Sequence, residues 1–213
     1  MRLMITRDCR KIAKRKKLEQ DPVVQGEDGA AVLPLRGNLT DSNGVIIELP
    51  AATAAETNLT GSLVFGIGTQ SNNGLGNATV YTVDNNGNFA TSFKGTSYPG
   101  SFLDSGSNGI FFLNSNITGI TSCTNATGFY CPGSPTSVTA TTNGQNGASA
   151  TIKFSVGNAE TLFANSADSV FPSLAGPGSN DFDWGLPFFF GRNVFTAIEG
   201  ANTPGGVGPY WAY

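Results

Sequence analysis

Histidine is absent from the 213 residues, and that absence removes most hydrolytic chemistry. No Ser-His-Asp or Cys-His nucleophile system can be assembled, and a histidine-ligated zinc site is equally excluded. Three cysteines are too few for a four-thiolate metal site. Charged residues make up only 13% of the chain, against about a quarter in ordinary globular proteins. No apolar run approaches the ~18 residues of a membrane-spanning helix. There is no G-x-x-x-x-G-K-[ST] phosphate loop, and the glycines at 61, 66, 68, 74 and 76 do not form G-x-G-x-x-G. Neither a metal nor a cofactor is therefore expected.

What is present is 28 glycines and 15 phenylalanines amid many Asn, Ser and Thr. That composition suits an all-β chain rich in turns. The charge is uneven. Residues 1–17 hold eight basic residues and one acid, net +7, so residues 18–213 carry −10. The segment Arg10–Lys17, RKIAKRKK, reads as a solvated tail: it lacks aromatic residues for base stacking, and the acidic body would repel phosphate. No nucleic-acid partner is expected. Residues 1–38 form a basic leader outside the fold, and no apolar segment follows Lys17 to complete a signal peptide. Cys123 and Cys131 either close a small disulfide, implying an oxidising compartment, or stay free thiols in a cytosolic protein. The export-like composition favours the disulfide. The five Asn-x-[ST] sites, at Asn38, Asn58, Asn77, Asn116 and Asn125, are expected by chance in such a chain.

From Asp41 onward strand signals recur. Val45–Leu49 and Leu59–Gly68 are apolar and strand-like. Thr79–Val83 and Asn88–Phe93 flank Asp84-Asn85-Asn86-Gly87, a hairpin signal. Ser137–Thr142 and Thr151–Val156 form a second pair, and Asn158 can cap one helical turn. Asp183–Ile198 is the most apolar stretch, and Tyr210–Tyr213 ends the chain as a strand.

The segment Ser101–Asn116, SFLDSGSNGIFFLNSN, organises the rest. An acid between two apolar runs needs partners, because a buried carboxylate without them is costly. Ser105 and Ser107 offer hydroxyls, and Gly106 lets the backbone pass close to Asp104. Taken alone, the same four letters also describe a polar turn.

Three ordered stretches resemble the C-terminal lobe of a pepsin-type aspartic protease. Val45–Leu49 with Gly61–Gly68 is similar to the strand pair that opens that lobe. Phe102-Leu103-Asp104-Ser105-Gly106-Ser107 resembles the active-site loop. Phe189-Phe190-Gly191-Arg192-Asn193-Val194-Phe195 resembles the hydrophobic–hydrophobic–Gly motif and the short helix after it, and retroviral proteases carry a similar Gly-Arg-Asn. The spacing of 87 residues between Asp104 and Gly191 suits such a lobe.

The resemblance implies a single all-β pepsin-like lobe over residues 39–213 with one short helix at Arg192–Phe195. It implies that Asp104 is one member of a catalytic dyad. Ser105 would bond across to an opposite lobe, the Gly106 amide would face the carboxylate, and the Ser107 hydroxyl would hold its outer oxygen. Gly191 would pack beneath this loop. Because the apolar runs around Asp104 and Gly191 cannot both be solvated, they are expected to pair in one sheet, not in a β-sandwich. Their shared core would gather Phe102, Leu103, Ile110, Phe111, Phe189, Phe190, Val194 and Ile198. Only one Asp-[Ser/Thr]-Gly is present, since Asp41-Ser42-Asn43 and Asp168-Ser169-Val170 lack the glycine. The lobe is therefore expected to be inactive alone and to need a second lobe or a homodimer to cleave a peptide substrate. The chain reads as the truncated remnant of an exported protein or as a natural single lobe. A non-catalytic exported binding or structural protein on the same fold is the alternative.

Overall fold

Two isoleucines in succession, Ile46 and Ile47, both lie in the core, and their position in a strand explains this. Neighbouring strand residues point to opposite faces, so a strand with both faces covered reads as a continuous apolar run. The computed structural model describes residues 40–213. Strand β1 (Gly44–Leu49) lies between β2 (Ser62–Phe65) and β11 (Arg192–Ala197), antiparallel to both. Ile47 joins the main core, while Ile46 joins a second cluster with Ile67, Phe195, Ala197, Tyr210 and Ala212.

The remaining strands are β3 (Val80–Thr82), β4 (Phe89–Phe93), β5 (Thr96–Leu103), β6 (Ile110–Phe112), β7 (Thr136–Asn143), β8 (Ser149–Val156), β9 (Ala175–Pro177), β10 (Asp183–Trp184), β12 (Asn202–Thr203), β13 (Gly206–Val207) and β14 (Tyr210–Ala212). They form a five-stranded sheet in the order β2-β1-β11-β14-β3, a seven-stranded sheet in the order β8-β7-β4-β5-β10-β6-β9, and the small β12-β13 ribbon. The fold is all-β. Among the described residues, helix is confined to α1 (Ser115–Thr118), α2 (Ala159–Leu162) and a 3-10 turn at Leu186–Phe188. Asn158 caps α2 as its sequence position suggests, accepting from the Thr161 amide at 3.1 Å.

Several expectations need correction. Arg192–Phe195 is not a helix but the first part of β11. Gly191, with φ of 74°, turns the chain, and the following residues bury Val194 and Phe195 on opposite faces between β1 and β14. The helical turn lies upstream, at Leu186–Phe188, where Pro187 sits within its first turn. The apolar runs around Asp104 and Gly191 do not share a sheet. β5 and β6 belong to the large sheet and β11 to the small one, and the two sheets meet through a common core. That core takes Leu103, Ile110, Phe189 and Val194, whereas Phe102, Phe111, Phe190 and Ile198 are half-buried.

The Asp84–Gly87 turn forms, with the Gly87 amide donating to the Asp84 carbonyl at 2.9 Å. Its flanking strands nevertheless part company: β3 pairs with β14, and β4 with β5 and β7. Tyr81 on β3 stacks on Tyr213 with ring centroids 4.5 Å apart, while Phe89 and Phe93 enter the main core. The β7–β8 hairpin pairs in full from Thr136↔Val156 to Asn143↔Ser149. The basic leader expected over residues 1–38 lies outside the described residues. No helix among the described residues is long and apolar enough to cross a membrane.

Cys123 and Cys131 form a disulfide. Closing a loop this short removes modest chain entropy, so selective reduction is expected to lower unfolding stability by about 2–3 kcal/mol. Urea denaturation with and without reductant measures this difference.

Candidate active site

Alternation along β5 sets the position of Asp104. Ser101 and Leu103 are buried, while Phe102 and Asp104 on the other face are half-buried. The chain then turns, with the Ser107 amide donating to the Asp104 carbonyl at 3.1 Å, and returns as β6. Consecutive strands joined by so short a loop ordinarily pair as a hairpin. These two do not. β10 lies between them, parallel to β5 with Asp183 opposite Phe102 and Trp184 opposite Leu103, and antiparallel to β6 with Asp183 opposite Phe111.

Backbone hydrogen bonds fasten the insertion. The Phe102 amide donates to the Phe182 carbonyl at 2.9 Å, the Asp104 amide to Trp184 at 3.1 Å, and the Leu186 amide to Ser107 at 2.7 Å. Trp184 is fully buried against Phe182 and Phe188, and its indole N–H donates to Thr91 Oγ1 at 3.1 Å. Gly185 lies directly against the loop. A Cβ there would stand 2.0 Å from the Gly109 carbonyl oxygen and 2.8 Å from that of Ser107, so no other residue fits without moving backbone.

Both oxygens of Asp104 are engaged. The Gly106 amide donates to Oδ1 at 2.8 Å, and Ser107 Oγ lies 3.2 Å from Oδ2. Ser105 is half-buried and makes no hydrogen bond among the described residues. The expected place of Gly191 requires correction. Its amide donates to the Leu49 carbonyl at 3.0 Å, and its open side faces Ala51. The 3-10 turn at Leu186–Phe188 has by then carried the chain from the large sheet to the end of β1, so the glycine under the loop is Gly185.

Sequence reasoning also missed Asp183. Its Oδ2 lies 2.6 Å from Ser107 Oγ, the same hydroxyl that lies 3.2 Å from Asp104 Oδ2. The available signal was an acid within Phe182-Asp183-Trp184-Gly185, an otherwise apolar run leading to a glycine. Asp41 and Asp168 are engaged elsewhere, Asp41 with Gln70 and Thr69 and Asp168 with Asn165.

Two other features bear on ligands. A cavity of about 170 Å³ is lined by residues that include Ile110, Ile152, Phe154, Phe188, Phe190 and Arg192, but by none of residues 104–107. The Arg192 guanidinium lies over the Phe188 ring, 4.6 Å from its centroid. Burial draws its pKa down, opposed by the electrostatic influence of Tyr213. Cys123, Cys131 and Glu160 cluster closely enough to suggest metal ligands, but the two sulfurs are consumed by the disulfide. The Glu160 carboxylate instead accepts from the Asn125 amide at 2.8 Å, which lowers its pKa.

Over residues 32–213 the chain matches the family described as "Protein of unknown function (DUF3443)", and it belongs to that family. No curated protein and no solved structure matches it.

The two glycines make separable predictions. Gly185→Ala is expected to cost about 3 kcal/mol, because overpacking against rigid backbone cannot relax cheaply. It should also raise amide exchange at Ser107 and Leu186. Gly191→Ala, strained by its positive φ but less crowded, should cost about 1 kcal/mol and leave those amides protected. Urea melts with hydrogen exchange by NMR distinguish the two.

Proposed function

We propose that this chain is one lobe of a pepsin-like aspartic endopeptidase, with Asp104 as the catalytic carboxylate it contributes. The observation that carries the reading is the dressing of Asp104. A loop amide (Gly106) and a loop hydroxyl (Ser107) each donate to one carboxylate oxygen, and Gly185, just after β10, packs directly against the loop backbone. These are the features that the sequence resemblance assigns to the active-site loop and its supporting glycine, although the glycine is Gly185. In a chain without histidine, amide hydrolysis without a metal falls to paired carboxylates. One acts as base towards water and the other as acid towards the carbonyl.

Asp104 supplies one member of such a pair, and a second lobe or a second copy of the chain supplies the other. The edge strand β2 is suited to that meeting. Among the described residues it pairs only with β1, and Leu63 and Phe65 are 40% and 62% exposed. An unpaired apolar edge is a ready template for another chain. The proposed partners are thus a peptide or protein substrate and a second lobe or homodimer. The Cys123–Cys131 disulfide supports export to an oxidising compartment, periplasmic or extracellular, since such bonds persist there.

The test is hydrolysis of a denatured protein substrate at acidic pH by separated monomer and dimer fractions. Activity confined to the dimer and lost in Asp104→Asn is expected. Cleavage by a monomer that Asp104→Asn abolishes would overturn the requirement for a partner. Absence of cleavage in every fraction would favour the alternative, a non-catalytic exported binding or structural protein on this fold.

A further inference from the structure

Positive charge is scarce over residues 40–213, which hold ten acidic side chains but only three cations, Lys94, Lys153 and Arg192. Lys94 is engaged locally. Its ammonium donates to the Ile117 carbonyl at 3.0 Å and to the Thr118 carbonyl at 3.2 Å. The other two cations converge, for both line the cavity of about 170 Å³. They come from different sheets, Lys153 from β8 in the large one and Arg192 from β11 in the small one. No acidic residue lines that cavity, and the rest of its wall is apolar, including Ile152, Phe154 and Phe188. Lys153 is exposed, whereas Arg192 is half-buried. The Arg192 guanidinium donates to the Phe188 carbonyl and lies over the Phe188 ring. No carboxylate among the described residues pairs with it. Glu48, opposite Asn193 in the β1–β11 register, accepts from the Asn193 side-chain amide at 3.3 Å instead.

We propose that this cavity binds a small organic carboxylate carrying one apolar group. Arg192 holds the carboxylate with Lys153 at hand, and the apolar group lies among Ile152, Phe154 and Phe188. A half-buried cation over an aromatic ring has given up part of its hydration, and a carboxylate in the adjoining space offsets that loss. The guanidinium fork suits a planar carboxylate, and its hydrogen bond to Phe188 leaves further N–H donors to offer. Phosphate fits less well, because its greater charge and additional oxygens would face apolar side chains. Size sets a second limit. An apolar cavity of about 150 Å³ accommodates benzene, so this one suits a single ring or a short branched chain. The site contains none of residues 104–107. It therefore goes beyond the peptidase reading and does not depend on it.

The experiment is titration of the full chain with phenylacetate at about pH 7, where a carboxylic acid is ionised, followed by amide shifts in NMR. Phenylacetamide and acetate are titrated in parallel. Phenylacetate is expected to bind with a Kd of about 1 mM or tighter and to shift the amides of Ile152, Phe154, Phe188 and Arg192. Phenylacetamide keeps the ring without the charge, and acetate keeps the charge without the ring. Each is expected to bind about tenfold more weakly than phenylacetate. Arg192→Gln should weaken phenylacetate by about tenfold and leave phenylacetamide unchanged. Lys153→Gln, at an exposed position, should cost about threefold or less. Equal binding of phenylacetate and phenylacetamide would overturn the proposal, as would unchanged affinity in Arg192→Gln. So would shifts that avoid the cavity residues, or no binding at about 10 mM ligand, well above the expected Kd. Should Arg192→Gln fail to fold, the comparison of acid and amide on the unaltered chain decides the matter.

Discussion

Everything around Asp104 depends on two residues, Asp183 and Trp184, lying between strands that are neighbours in sequence but not in the sheet. β5 and β6 each present backbone groups to the gap between them, and unpaired buried groups of this kind carry a desolvation penalty of about 1–3 kcal/mol each. β10 satisfies them from both sides, parallel to one strand and antiparallel to the other. Because the gap is filled, the Asp104–Gly109 connection cannot collapse into a tight hairpin. It must arch across the end of the inserted strand, and Gly185 is the residue over which it arches.

The side chains of β10 divide the work between core and loop. Trp184 points inward, fully buried among Phe154, Phe182 and Phe188, and anchors the strand through apolar area that a two-residue element could not otherwise secure. Asp183, one residue earlier and so on the other face, reaches the loop hydroxyl. The same alternation in β5 buries Leu103 and turns out Asp104. Two carboxylates therefore approach one serine as a geometric consequence of strand pleating and of the register Asp183↔Phe102. Away from this site the sheets carry little charge, and the disulfide and the β7–β8 hairpin stiffen regions that do not touch Asp104.

Much of this was legible in the residues. The all-β class follows from the turn-rich composition and the lack of long periodic segments. The β7–β8 hairpin, the Asn158 cap and the Asp84–Gly87 turn are local, and local hydrogen bonding decides them. The Asp104 loop was recognisable for the same reason: its amide and hydroxyl partners lie within three residues of the acid. What could not be read was any pairing between distant segments. Thr79–Val83 and Asn88–Phe93 carry a sound hairpin signal, yet the stacking of Tyr81 on Tyr213 and the burial of Phe89 draw them into different sheets.

The choice of glycine shows the same division. Gly185 and Gly191 both end apolar runs, and sequence offers no means of ranking them, because what separates them is the backbone each one faces. Gly185 meets the carbonyls of Gly109 and Ser107, and Gly191 meets Ala51. Asp183 was likewise only one acid in an aromatic stretch until the sheet placed it 76 residues from its partner in sequence and 2.6 Å from it in space. By itself the sequence determined a chain of short strands, an acid in a loop built to receive it, and the absence of histidine chemistry. These depend on residue type and on neighbours a few positions away. Only the tertiary structure decided which strand fills the gap beneath that loop and which second carboxylate reaches it, because both depend on non-local register, which the burial of Trp184 settles and composition does not.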